Sequence, residues 1–339
     1  MLRIEKHYFW LIGVLALGIV LFWSGQSWSQ PTKLRFSTVP FIGEAPSYVA
    51  YHMGFFKDEG LDITLKFNPG GWMSLKELFE NRADIATVAE LPIVYSAFDK
   101  KKYTDFERGE FLIIGDMIYS QSIQQVVVRK DRGINIPADL KGKKIGVMRG
   151  TTLDFFMDVF FTDNRIKYSE VEIFDMDVFK MTEAIVRGDL DAIFTWEPHV
   201  HIAKKRLGDN AAILDAKMKY TTAWLIIVMK DFAERHPEVL EKFLRAIVKA
   251  ENFIKKNPKE AIDIHATISK ADKSIITHLW NLVDFDLSLS EHLLIIMENE
   301  ASWLLRKKIY DQKEIPNFKD YIYFKALEKV KPKGIQIVR

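Results

Sequence analysis

Hydrophobic and polar positions fall into two successive series along the chain. The first runs KLRFSTVPFIGEAP, an apolar stretch from Tyr48 to Phe56, LDITLKF, a Gly70-Gly71 turn, a helical MSLKELFENR and ADIATVA. The second runs KKIGVMRGTT, an apolar LDFFMDVFF, VEIFDM, a helical FKMTEAIVRG and DLDAIF. Each predicts strand, loop, helix, strand, helix, strand. Short β-branched runs alternating with helical periods signal parallel βαβ units. The series align at their ends: Arg82-Ala83-Asp84-Ile85 precedes Arg187-Gly188-Asp189-Leu190 by 105 positions (187 − 82). In each copy a helix stops, an Asp opens a strand, and the strand ends in an acid and a proline, Glu90 and Pro92 or Glu197 and Pro198. The fold class is therefore α/β, with two Rossmann-like lobes.

Two further strand-like runs, IQQVVVRKD (123–131) and AWLIIVMKD (223–231), flank the second series. They imply that the chain crosses into lobe two and later returns, which makes lobe one discontinuous: 30–122 with 225–339, against 123–224 for lobe two. The rest is helical. His236-Pro237 opens a helix whose apolar stripe is Leu240, Phe243, Leu244, Ile247, Val248 and Phe253. Another starts at Ser290, with Leu293, Leu294, Met297, Ala301 and Leu304 inward. Stripes of this spacing read as core.

The N-terminus differs. Arg3 and Lys6 precede an uncharged run from Phe9 to Trp23, followed by SGQSWSQ. Such a run is short for a membrane span and suits the apolar region of a signal peptide. Ser27 and Ser29 place the cleavage after Ser29, giving a 1–29 leader and a periplasmic product; an uncleaved anchor has the same export consequence. Lys and Arg total 48 against 46 Asp and Glu, so a net charge of +2 gives no electrostatic case for nucleic acid. The absence of cysteine excludes disulfides, thiolate catalysis and Cys-ligated zinc.

Ligands of parallel sheets sit beyond the carboxyl ends of the strands. There lobe one offers Phe41, Gly43, Glu44, Trp72 and Glu90, with Gln121 just before the first crossing strand. Lobe two offers Trp196 and Glu197, and a turn of Arg149, Gly150, Thr151 and Thr152 that reads either as a carboxylate site at a helix start or as an ordinary N-cap. Trp72 and Trp196 could sandwich a ligand or a cation, or each pack beneath a loop. His199 and His201 lack a third ligand at metal spacing. No phosphate-loop, dinucleotide or nucleophile-elbow motif occurs, so neither enzyme nor cofactor is expected.

In order along the chain, GFFKDEGLDITL, RADIATVAELP, VVVRKDRGINIPADLKGKKIGVMRGTT, TWEP, FAERHPEVLEKFLRAIVKAENFIKKNP and YIYFKALEKVKP resemble the extracytoplasmic substrate-binding proteins of ABC importers, in the nitrate, sulfonate, taurine and thiamine-precursor group. The resemblance implies a type II periplasmic binding protein architecture, with two lobes joined by two crossing strands. It implies a monomer that closes on one small-molecule solute and delivers it to an inner-membrane permease. A membrane-anchored solute-sensing module is the alternative. Enzymes of thiamine-pyrimidine synthesis share the fold but carry a cysteine-rich motif absent here. Three acids at the cleft predict a small polar solute with a cationic or donor end toward them and an anionic end at Thr151-Thr152.

Overall fold

A computed structural model of the chain describes residues 30–105, 109–215 and 220–338; the leader assigned to 1–29 lies outside them. The first series folds as β1 (Thr32–Thr38), α1 (Ala45–His52), α2 (Phe55–Asp58), β2 (Leu61–Phe67), α3 (Gly71–Phe79), β3 (Ile85–Val88) and α4 (Glu90–Phe98). β1 pairs in parallel with both β2 and β3, with Thr32 opposite Leu61 and Phe36 opposite Ile85. The chain then passes through β4 (Phe111–Tyr119) and β5 (Gln124–Arg129) into the second series. That series is β6 (Lys144–Val147), α5 (Thr152–Asp163), β7 (Glu172–Asp175), α6 (Val178–Arg187), β8 (Ala192–Trp196) and α7 (His199–Leu207). Here β6 pairs in parallel with β7 and β8. After β9 (Ala211–Leu214) come β10 (Leu225–Met229), α8 (Lys230–Arg235), α9 (Pro237–Lys256), α10 (Pro258–Ser269), α11 (Lys273–Trp280), β11 (Asp284–Ser288), α12 (Glu291–Arg306) and α13 (Phe324–Val330).

Two sheets result, ordered β11-β4-β10-β3-β1-β2 and β7-β6-β8-β5-β9. In each, a parallel triplet is extended by strands in successive antiparallel pairing, β10, β4 and β11 in the first, β5 and β9 in the second. The sheets exchange strands, because β5 follows β4 yet completes the second sheet, and β10 follows β9 yet completes the first. The runs 123–131 and 223–231 each lie in one sheet, so the crossings themselves are the short segments just before them. They touch: Ser120 and Thr222 form an antiparallel bridge, with the Thr222 N–H donating to the Ser120 carbonyl at 2.8 Å.

The internal repeat is real, with a register two residues from the one the sequence suggests. Asp84 closes the edge of lobe one by accepting from the Arg35 N–H at 2.8 Å, and the residue that does this for Lys144 in lobe two, at 2.9 Å, is Asp191 and not Asp189. The offset is therefore 107 (191 − 84), which also superposes the left-handed residues that end α3 and α6, Asn81 (φ 60°) and Gly188 (φ 88°). At this offset Glu90 and Glu197 occupy equivalent strand ends.

The predicted stripes of α9 and α12 are core, save that Val248 and Phe253 are only half-buried. Phe243 of α9 stacks on Phe56 at 4.9 Å and meets Phe36 edge-on at 5.4 Å. The strands β4, β9 and β11 were not foreseen. β4 is a nearly uniform apolar run, buried on both faces, and has no alternation to mark it.

Candidate functional site

The loop after β1 carries Phe41, Gly43 and Glu44, and all three converge on Trp224. The Phe41 ring lies 4.6 Å from the indole. A Cβ on Gly43 would fall 2.7 Å from Trp224 Cγ and 2.9 Å from the Phe41 ring, so only glycine fits between them. Glu44 is fully buried. Its Oε1 accepts from the Trp224 indole N–H at 2.9 Å and from the Thr87 hydroxyl, while Oε2 has no partner among the described residues. Loss of hydration raises its pKa to about 7, against the opposing effect of those donors.

The short segment Tyr220–Trp224, just before β10, collects three more buried acids. The Trp224 backbone N–H donates to Asp116 Oδ1 at 2.8 Å and that of Ala223 to Glu90 Oε2 at 3.1 Å. The Tyr220 hydroxyl bonds to Glu90 Oε1, and to Glu300 Oε1 at 2.6 Å. Burial pushes Asp116 up to about 7 and raises Glu90 and Glu300 as well, Glu300 being held further by the neighbouring Glu90. None of the four acids pairs with a Lys, Arg or His among the described residues.

The same segment reaches lobe two. The Thr222 hydroxyl donates to Gln124 Oε1 at 2.7 Å, and Gln124 Nε2 lies 3.4 Å from the Thr152 hydroxyl. Gln121 Nε2 donates to Thr221 at 3.2 Å. Thr151 is the N-cap of α5: its hydroxyl accepts from the Leu153 N–H and donates to the Met148 carbonyl at 2.7 Å. Arg149 leans back on Asp154 at 3.2 Å, with 42% of its side chain exposed.

The remaining predicted residues lie at the edges of this arrangement. Trp72 is 40% exposed and sits beside Tyr103 at 6.5 Å, making no ring contact with the half-buried Trp196. Glu197 is buried beside a cis bond to Pro198 and accepts from the His201 N–H at 3.0 Å. Its other oxygen meets His278 Nε2 of α11, in lobe one, at 3.3 Å. On α7 the two histidines diverge: His199 faces Thr182 and Phe179, and His201 faces His278 at 4.6 Å.

The lobes touch elsewhere too. Phe155 of α5 stands edge-on to Trp303 of α12 at 5.5 Å, and Lys307 lies 4.2 Å over the Tyr168 ring. The two lobes are thus in direct contact. His278 is 40% exposed at the Glu197 contact, a pair worth ~0–1 kcal/mol. His278→Ala is therefore expected to shift the open–closed balance less than about fivefold. Small-angle scattering of the ligand-free variant should show a modest rise in radius of gyration, and an unchanged radius would remove this contact from closure.

Sequence reasoning passed over Tyr220, Thr222, Trp224, Asp116, Gln124 and Glu300. Two left a signal: Asp116 interrupts an apolar strand, and Glu300 falls on the inward face of α12, three residues after Met297. An acid at an inward position needs a partner.

Residues 43–261, well over half the chain, match the family described as NMT1/THI5 like. The chain belongs to that family. A Bacillus subtilis (strain 168) relative, provisionally named as an aliphatic sulfonates-binding protein, is 23% identical over 299 residues, 86% of this chain and 88% of that one. The taurine-binding periplasmic protein of Escherichia coli (strain K12) is 26% identical over 220 residues, 64% of this chain and 65% of its own. The crystal structure of the periplasmic aliphatic sulphonate binding protein SsuA from Escherichia coli superposes with a TM-score of 0.71 at 14% identity, covering 86% of this chain and 98% of that one. The two-lobed binding-protein fold is thereby shared with solved structures.

Proposed function

We propose that this family member is an extracytoplasmic solute-binding protein of an ABC-type importer, and not an enzyme. The observation that carries the reading is the convergence of hydrogen-bonding groups from both lobes on Tyr220–Trp224, at the crossing between the sheets. Residues 30–122 and 225–339 form one wall and 123–224 the other, and a small polar solute is held where they meet. Glu44, Glu90, Thr152 and Gln121 line or brace that space, with Phe41 and Gly43 beneath it. Arg149, Thr151, Trp72, Trp196 and Glu197 stand around its rim. Closure creates the paired surface that an inner-membrane permease reads, and the carrier acts as a periplasmic monomer. The relatives' names support the binding role: the Escherichia coli protein binds taurine in the periplasm.

The test is a thermal-shift screen of small polar solutes followed by scattering. A true ligand at ~100 times its Kd should stabilise the protein by ~2.7 kcal/mol and reduce its radius of gyration relative to the ligand-free ensemble. Ligands that stabilise without compaction would remove the closing cleft from the account. Turnover of the bound compound on prolonged incubation would overturn the non-enzymatic reading.

A further inference from the structure

The Tyr220 hydroxyl has one proton to give. Its oxygen is nevertheless bonded to carboxylate oxygens of both Glu90 and Glu300. It can donate to one of them only, and the second contact holds when that carboxyl is itself protonated and donates to the phenol oxygen. The Glu90–Tyr220–Glu300 trio therefore contains at least one acid proton. Beside it two fully enclosed polar atoms have no partner among the described residues, Glu300 Oε2 and the indole N–H of Trp303. Trp303 lies one turn beyond Glu300 on α12 and is 2% exposed. Its ring stands edge-on to Phe155 across the lobe boundary, and Phe155 stands edge-on to Tyr220 at 5.9 Å. An open acceptor and an open donor thus lie beside the shared proton, where Phe155 of lobe two packs against Trp303 and Tyr220. Glu44 Oε2, at the other end of the Tyr220–Trp224 segment, is likewise open.

We propose that the solute carries a protonated amine or guanidine, which docks on Glu300 and Glu90 in place of their shared proton, while an acceptor on the same solute takes the Trp303 N–H. This rests on the solute-binding reading and adds the charge of the solute. The exchange is an ionisation: the cationic group enters, the acid O–H gives its proton to water or buffer, and the buried carboxylate so formed gains the ammonium or guanidinium as counter-charge. The surroundings all favour the exchange. Glu90 acts through space on Asp116, and Asp154 and Glu300 both act on Tyr95, so further negative charge lies around the trio. The nearby cations Arg149 and Lys307 are paired to Asp154 and Asp158. Burial and mutual repulsion, which hold the proton on Glu90 and Glu300, are the forces an incoming cation relieves.

Calorimetry on the mature chain with three matched sets of compounds tests this: primary amines and guanidines of two to six carbons, the corresponding alcohols, and the corresponding sulfonates. Binding is expected only where a cationic nitrogen is present. It should tighten as pH rises through the range in which the trio gives up its proton, by up to about tenfold per pH unit, and release about one proton, read from the dependence of the heat on buffer. Glu300→Gln keeps the side-chain shape and an acceptor for Tyr220; it should weaken amine binding at least about thirtyfold, the scale of a lost buried charge pair, and flatten the pH dependence. If that variant does not fold, Glu90→Gln serves the same comparison. Alcohols or sulfonates that bind as tightly as their matched amines would overturn the cationic solute and leave the solute-binding reading standing. Absence of binding in all three sets would overturn both.

Discussion

Trp224→Ala is expected to lower stability by about 3–5 kcal/mol in a denaturant titration and to abolish solute binding. The indole is buried, packs against Phe41, fills the space left by the missing Cβ of Gly43 and donates to Glu44. Truncation opens a cavity and strips one donor from a carboxyl that already has an unpartnered oxygen. Trp224→Phe separates the two effects, because the ring remains and only the N–H is lost. It should cost less than the alanine change, and its own cost should be larger at pH 8, where Glu44 is ionised and short of donors, than at pH 5, where Glu44 is protonated. A loss below about 1 kcal/mol for the alanine variant would show that the loop from Phe41 to Glu44 holds its shape without the indole.

The second large effect is a stability difference that grows with pH. Glu44 titrates near 7 in the folded chain against an ordinary value of 4.5, so the folded state binds more protons between those limits. Stability contributed by this group is complete below about pH 4.5, falls as pH rises toward 7 and is constant above. Glu44→Gln retains an oxygen to accept from Trp224 and Thr87 and cannot ionise. The variant should therefore match the parent near pH 4.5 and exceed it above pH 7, with a ceiling on the order of 3 kcal/mol. His265, which burial holds down to about 4, works with the opposite sign between 4 and 6.5, but it is common to both proteins and cancels in the difference. A gap between the two unfolding free energies that does not change with pH would show that Glu44 titrates normally.

How much of this was legible in the sequence depended on range. The parallel triplets were readable because their signals are local: β-branched runs bounded by Gly and Asp. Their register was misread because Arg82 and Arg187 attract the eye, whereas the physical landmark is the left-handed residue ending each helix, an asparagine in one copy and a glycine in the other. The strand-end acids Glu44, Glu90 and Glu197 stand out from composition and position alone. Their partners do not, for Trp224 lies 180 positions from Glu44 and Glu300 bonds to a tyrosine 80 positions away. Thr151 shows the converse: the hydroxyl reads equally as a site or a cap, and the cap is visible only once the bond from the Leu153 N–H is seen.

Because Ser120 and Thr222 are held together by one backbone hydrogen bond, lobe two begins and ends at a single point on lobe one. It is in effect a graft. A counterpart from another protein of the same topology could be spliced in at two adjacent peptide positions without cutting either sheet. Recognition would then divide along the splice, the host keeping Glu44, Glu90, Asp116 and Glu300, and the guest bringing its own residues for Gln124 and Thr152.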